Sequence, residues 1–175
     1  GAFNSVTVEW IIITGMIAGS LPFAHYLAMV RGGWRSLLND PQVRWFLILA
    51  VGLVLLLIWH LMQTGLGFGE AVRQASFNGV SIMTGTGYVS ANFSAWGGFA
   101  TTILLIVMFI GGCGGSTTCG IKVFRLQVLA STAKVQISRL LRPHAVVLAY
   151  YNKRPVSVEV MDSVMGFFYL FILGF

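Results

Sequence analysis

Apolar residues run in four long blocks along the chain, separated by polar, basic or glycine-rich breaks. The first block is Val6–Val30, with Pro22 and His25 near its end. The second, Trp45–Met62, is dominated by Leu, Ile and Val, and the third is Gly97–Ile121, uncharged throughout. The fourth opens near Ser157 and is still running at Phe175. A helix that crosses a bilayer needs about 20 apolar residues at about 1.5 Å rise each. The first three blocks meet that length and predict spans. Val164–Phe175 holds only 12 residues and stops without a cap or flanking charge, and position 1 is not Met. The expectation is a piece of a larger membrane protein, cut inside its last helix.

The connection 64–96 is patterned rather than plain loop. Gln63-Thr64-Gly65-Leu66-Gly67-Phe68-Gly69 is a turn-rich entry, and residues 70–83 then read EAVRQASFNGVSIM. Ala71, Ala75, Val80 and Met83, with Phe77 and Ile82, give one apolar face of a helix too short and polar to span. Glu70 near its start suits the positive end of the helix dipole. Next comes Thr84-Gly85-Thr86-Gly87-Tyr88-Val89-Ser90, poor helix chemistry. The predicted order is span, short re-entrant helix, Thr/Gly strand, span. Irregular backbone at membrane depth is tolerated only where it is buried in protein or lines water. Glycine permits conformations that can turn carbonyls inward, and rings of carbonyls can replace a cation's hydration shell. The negative end of the short helix points the same way. An exposed glycine loop holding no ion fits the pattern as well, and composition alone leaves both open.

Composition narrows the class. The 175 residues are 57% hydrophobic and 9% charged, against about 25% charged in soluble domains. An ordinary soluble domain and a disordered chain are both excluded. The 21 glycines show no Gly-X-Y period, so collagen is excluded too. The net charge of +6 gains meaning from position rather than as a nucleic-acid footprint. Arg31, Arg35 and Arg44 lie in the first connection; Lys122, Arg125, Lys134, Arg139, Arg142, Lys153 and Arg154 lie in the third. Arg73 stands alone between them, so 10 of 11 basic residues fall on alternate connections. The positive-inside rule then puts 31–44 and about 122–156 in the cytoplasm, with residues 1–5 and 64–96 outside. Trp10, Trp34, Trp45, Trp59 and Trp96 sit near predicted span ends, where aromatic belts form. A signal peptide is a poor reading of Val6–Val30, which has no basic leader.

The third span carries its own break. Five of the ten residues in Gly111-Gly112-Cys113-Gly114-Gly115-Ser116-Thr117-Thr118-Cys119-Gly120 are glycine, each costing about 1 kcal/mol relative to alanine inside a helix. A helix from about Gly98 to Ile110 should end there, roughly 21 Å in from Gly97 at about 1.5 Å per residue. Uncapped backbone at that depth lines a pore or is covered by other helices. A glycine face for close helix packing remains a competing reading. A phosphate loop does not: Gly120 is followed by Ile121 before Lys122, whereas a Walker loop needs Lys directly after its second glycine.

Gly85-Thr86-Gly87-Tyr88 after a short helix resembles the filter segment of potassium channels. With the surrounding topology and the glycine break, the chain resembles most closely the Trk/Ktr/HKT superfamily of potassium transporters, and within it the bacterial Trk membrane subunit (TrkH/TrkG type). The resemblance implies an all-α polytopic membrane protein. Span, re-entrant pore helix, filter strand and span repeat four times around a central ion pore, and the second helix of the third repeat is broken by a Gly-rich loop. On this chain, 1–30 would be the second span of the preceding repeat and 31–44 a cytoplasmic connection. Residues 45–142 would be a complete repeat: span 45–63, pore helix 70–83, filter 84–88 and broken span 97–140. Residues 143–156 would be a second cytoplasmic connection and 157–175 the start of the next repeat.

The implied function is potassium uptake. Potassium is the transported ligand, held by the carbonyls of Thr84, Gly85, Thr86 and Gly87, with Tyr88 packed behind the strand. No cofactor is implied. Gly111–Gly120 would be a gating loop. The implied setting is the bacterial inner membrane, with a cytoplasmic nucleotide-binding regulatory subunit and a homodimer of full-length chains. A tetrameric potassium channel is disfavoured by spans outside the central pair. A secondary transporter with a broken helix and a non-transport scaffold also stand as alternatives.

Other residues carry weaker signals. His25, His60 and His144 are scattered, and no HExxH, GxSxG or Ser/His/Asp pattern is readable, so no enzyme is expected. His60 beside Trp59 reads as interfacial. Cys113 and Cys119 read as small packing residues, since two cysteines make only half a zinc site. Glu9, Glu159 and Asp162 near span ends read as solvated structural groups. Residues 122–142 alternate basic and apolar positions; the basic ones could simply snorkel at the anionic inner leaflet, or, with Arg139 and Arg142, offer a surface for the regulatory subunit.

Overall fold

The computed structural model describes residues 5–31, 33, 37, 39–142, 150–152 and 154–174, and the chain divides into two compact units, Gly1–Val123 and Phe124–Phe175. Trp34, Arg35, His144 and Lys153, with most of 31–38 and all of 143–149, lie outside the described residues. So do the side chains of Arg139 and Arg154.

The first unit begins with α1 (Val6–Gly19) and α2 (Phe23–Val30), bent against each other by 97°. The first apolar block is therefore two helices, not one straight span. Pro22 supplies the reason: it has no N–H, and its ring clashes with the carbonyl one turn back. Ser20 closes α1, its hydroxyl donating to the Met16 carbonyl at 2.7 Å. The bend leaves the Gly19 and Ser20 carbonyls without helical partners, which matters below.

α3 (Pro41–Gln63) has 23 residues, about 34 Å at 1.5 Å each and enough for a hydrocarbon core of about 30 Å. Asp40 caps it, accepting from the Gln42 amide at 2.7 Å, and Pro41 takes the first helical position. α4 (Phe68–Met83) starts two residues before the predicted pore helix and packs against α3, α1 and α5 (Gly98–Met108). Phe46, Leu57 and Leu61 of α3 are fully buried with Ala71, Ala75 and Met83 of α4 and Ala100 and Leu104 of α5. The alanines let helix backbones approach closely. A second cluster joins Ile13 and Met16 of α1 to Phe77 and Val80 of α4.

Two expectations change in this unit. α5 ends at Met108 rather than Ile110, because the backbone is already turning into the glycine break. Trp96 sits not in an aromatic belt but in the core, 5% exposed, with its carbonyl bonded to His60 Nε2 at 2.8 Å. Trp10, Trp45 and Trp59 are exposed.

In the second unit, α6 (Val123–Leu141) and α7 (Val158–Leu173) flank a two-stranded hairpin, β1 (Tyr150–Tyr151) with β2 (Arg154–Pro155). Asn152 turns it with φ +48°. The Arg125 guanidinium lies 3.8 Å from the Phe167 ring centre, and Ser131 Oγ donates to the Tyr150 carbonyl at 3.1 Å. The hairpin has no counterpart in the sequence reading, since two-residue strands leave no periodicity.

Candidate functional site: a filter strand above a glycine loop

The strand after α4 is tied to the helix through its amides. Thr84 donates to Val80 at 2.9 Å, Gly85 to Ile82 at 3.1 Å, and Thr86 and Gly87 both to Ser81 at 3.0 and 3.3 Å. Among the described residues no donor meets the carbonyls of Thr84, Gly85, Thr86 or Gly87. Gly85 and Gly87 have φ +70° and +77°, left-handed backbone that other L-residues enter only at a cost of about 1–2 kcal/mol. Alternation of Thr with left-handed Gly is what lets a strand keep its amides on one side. Thr84 is buried, and its hydroxyl lies 2.8 Å from that of Thr86.

A residue that sequence reasoning passed over fixes the far end. Asn78, fully buried on α4, accepts from the Ser90 amide at 3.1 Å and donates to Ser90 Oγ at 3.0 Å. It staples the chain beyond the strand back to α4. A polar side chain in the middle of an apolar helix face was the available signal.

The glycine break folds as a compact Ω-type loop. Its ends meet: Gly111 donates to the Ile121 carbonyl at 2.9 Å and Ile121 to Phe109 at 2.8 Å. A Cβ on Gly111 would stand 2.1 Å from the Cys119 carbonyl oxygen, so no larger residue fits there. The loop is anchored on the carbonyls that Pro22 exposed. Cys113 donates to Ser20 at 3.0 Å, and the Thr117 amide and hydroxyl donate to Gly19 at 3.3 and 3.0 Å. Gly114 donates to Gln42 Oε1 at 2.8 Å, and Phe23 donates to Gly115 at 3.2 Å. Asp40, which orients Gln42 through its backbone, lies 2.8 Å from His25 Nε2. The loop is thus held by directed hydrogen bonds more than by apolar burial.

Strand and loop face one cavity of about 350 Å³, bordered by Thr84, Gly85 and Thr86 on one side and Thr117, Thr118 and Cys119 on the other. A Cβ built on Gly85 would lie 3.5 Å from Cys119 Cβ, ordinary contact distance. Tyr88 also borders this cavity and is 59% exposed, in contrast to the expected packing behind the strand. The two cysteines differ: Cys113 is fully buried in the core, whereas Cys119 is exposed.

The predicted role of Glu9 is corrected in kind. It is buried, not solvated, and accepts twice from Arg73: Nε at 2.6 Å and Nη2 at 2.8 Å. Arg73, the lone basic residue of 64–96, is therefore half of an ion pair that clamps α4 to α1. Because the Arg73 end of the pair is open to screening by solvent, the expected coupling is favourable but modest. A double-mutant cycle with Glu9→Gln and Arg73→Gln, followed by thermal unfolding in detergent, should show that the two losses are less than additive. Additive losses would show that the clamp carries no energy.

One helix long and apolar enough to cross a membrane, a short helix followed by a strand whose carbonyls meet no donor among the described residues, and a glycine loop bordering the same cavity fit a polytopic membrane transport protein. The family model described as TrkH, a cation transport protein, matches residues 1–175, and the chain belongs to that family. It is 36% identical over 165 residues to the Trk system potassium uptake protein TrkI of Halomonas elongata, covering 94% of this chain and 33% of that protein. It is 33% identical over 186 residues to the TrkH potassium uptake protein of Vibrio parahaemolyticus, covering 100% of this chain and 37% of the relative. The crystal structure of the potassium transporter TrkH from Vibrio parahaemolyticus superposes with TM-score 0.87 at 31% identity, over 97% of this chain and 37% of that one. The chain spans about a third of the length of the curated relatives it matches.

Proposed function

We propose that the full-length protein admits potassium across the bacterial inner membrane. The ion passes a filter to which this chain contributes the carbonyls of Thr84, Gly85, Thr86 and Gly87. The remaining carbonyls come from equivalent strands elsewhere in the full-length chain. Gly111–Gly120 obstructs the path below and moves when a cytoplasmic nucleotide-binding subunit acts on it. The supporting observation is the shared cavity: the strand whose carbonyls meet no donor among the described residues and the loop made of breakable hydrogen bonds border the same space. The names of the relatives supply the ion. No covalent chemistry is required, and a homodimer of full-length chains fits the same reading. Residues 31–44 and about 122–156 lie in the cytoplasm on this account, and Arg142 with Arg139 belongs to the face that meets the regulator.

Cys119 provides the test. In liposomes holding the full-length protein, a cationic methanethiosulfonate reagent should modify Cys119 and block most potassium flux, while Cys119→Ser escapes the block. Full modification with undiminished flux would remove the cavity from the ion path.

A further inference from the structure

Lys122 closes the glycine loop in an unusual way. Its ammonium meets four oxygens of the loop: the Ser116 carbonyl at 3.3 Å, Ser116 Oγ at 3.4 Å, Thr118 Oγ1 at 3.3 Å and the Thr118 carbonyl. The two hydroxyls are held in place without the lysine. Ser116 Oγ donates to the Cys113 carbonyl at 2.6 Å and lies 2.8 Å from Thr118 Oγ1, which accepts from the Gly112 amide at 2.8 Å. The lysine directly precedes α6, at the positive end of that helix, where a cation gains nothing from the dipole. Its compensation comes from the loop. An ammonium has three N–H groups for four converging oxygens, whereas a spherical cation is not limited to three contacts. Thr118 also borders the cavity shared with the filter strand.

We infer that the Ser116 and Thr118 oxygens form a second monovalent-cation site below the filter, which the tethered Lys122 ammonium fills while the loop is closed. When Lys122 withdraws, a potassium ion takes its place on the way to the cytoplasm. The lysine is then an internal plug that competes with the permeant ion, and opening exchanges one cation for another without leaving the carbonyls unpaired. This rests on the reading of Gly111–Gly120 as the gate and adds to it the group that holds the gate shut.

The experiment uses full-length protein in liposomes without its regulator, read by rubidium influx, together with thallium-soaked crystals. Lys122→Met should raise basal influx about tenfold or more, the scale set by losing a charge-assisted contact. Lys122→Arg, which keeps a charge in the cradle, should raise it less. Lys122→Met crystals should show an anomalous thallium peak among the Ser116 and Thr118 oxygens, and Ser116→Ala/Thr118→Val in the same background should remove it. No rise in Lys122→Met, when deletion of 113–119 does raise influx, overturns the plug and leaves the gate standing. A rise without the thallium peak overturns the cation site. If neither the deletion nor Lys122→Met changes influx, the gate reading itself is wrong.

Discussion

Gly87→Asp should reduce potassium-over-sodium selectivity to that of a general cation pore. Gly87 sits at φ +77°, and a Cβ built there meets nothing within 4 Å. Aspartate is among the residues that enter the left-handed region most readily. The substitution therefore adds a carboxylate to the strand with little steric damage, at a backbone cost of about 1–2 kcal/mol. Carbonyl rings discriminate by the field and number of uncharged dipoles, whereas carboxylate rings attract cations with little regard to size. Full-length protein in liposomes should still pass cations, with the potassium-to-sodium flux ratio falling toward unity. An unchanged ratio would take the strand out of the filter.

Deleting residues 113–119 should open the pore without its regulator. The closed loop depends on Cys113 to Ser20, Thr117 to Gly19, Phe23 to Gly115 and Gly114 to Gln42. Each bond is worth about 0.5–1.5 kcal/mol net, so these four together contribute about 2–6 kcal/mol to the closed arrangement. A gap of that size suits a switch, because a ligand moves an equilibrium only by its differential affinity for the two states. Basal rubidium uptake by the deletion variant should rise about tenfold or more, the range of allosteric couplings. A variant that stays shut until the regulator is added would contradict a gate at this loop. The bend at Pro22 belongs to the same mechanism, since it presents the Gly19 and Ser20 carbonyls to the loop.

Much of this was legible in the sequence, and what escaped shares one cause. The C-terminal limits of α3 and α4 followed from apolar runs and turn residues, whereas α3 starts four residues and α4 two residues ahead of the expected positions; alternating Thr and Gly marked the strand proposed as the filter. The break followed from five glycines in ten positions. Each is a local signal. The 97° bend was not read, because proline alone does not say whether a span kinks or carries on. Glu9 and Arg73 are 64 positions apart, and nothing in either neighbourhood announces the other. Trp96 reads as an interfacial residue, and Asn78 is one polar side chain on an apolar helix face whose partner, Ser90, lies beyond the strand; tertiary packing buries both Trp96 and Asn78. Lys122 counted as one more cytoplasmic charge until the loop's oxygens were seen around it.

The central claim is that the strand around Gly87 turns its carbonyls toward a passing potassium ion. Anomalous diffraction from thallium-soaked crystals of the full-length wild-type protein tests it most directly. The account predicts a thallium peak bounded by the Thr84, Gly85, Thr86 and Gly87 carbonyls. A strand in bulk solvent, with thallium bound only elsewhere, would contradict it.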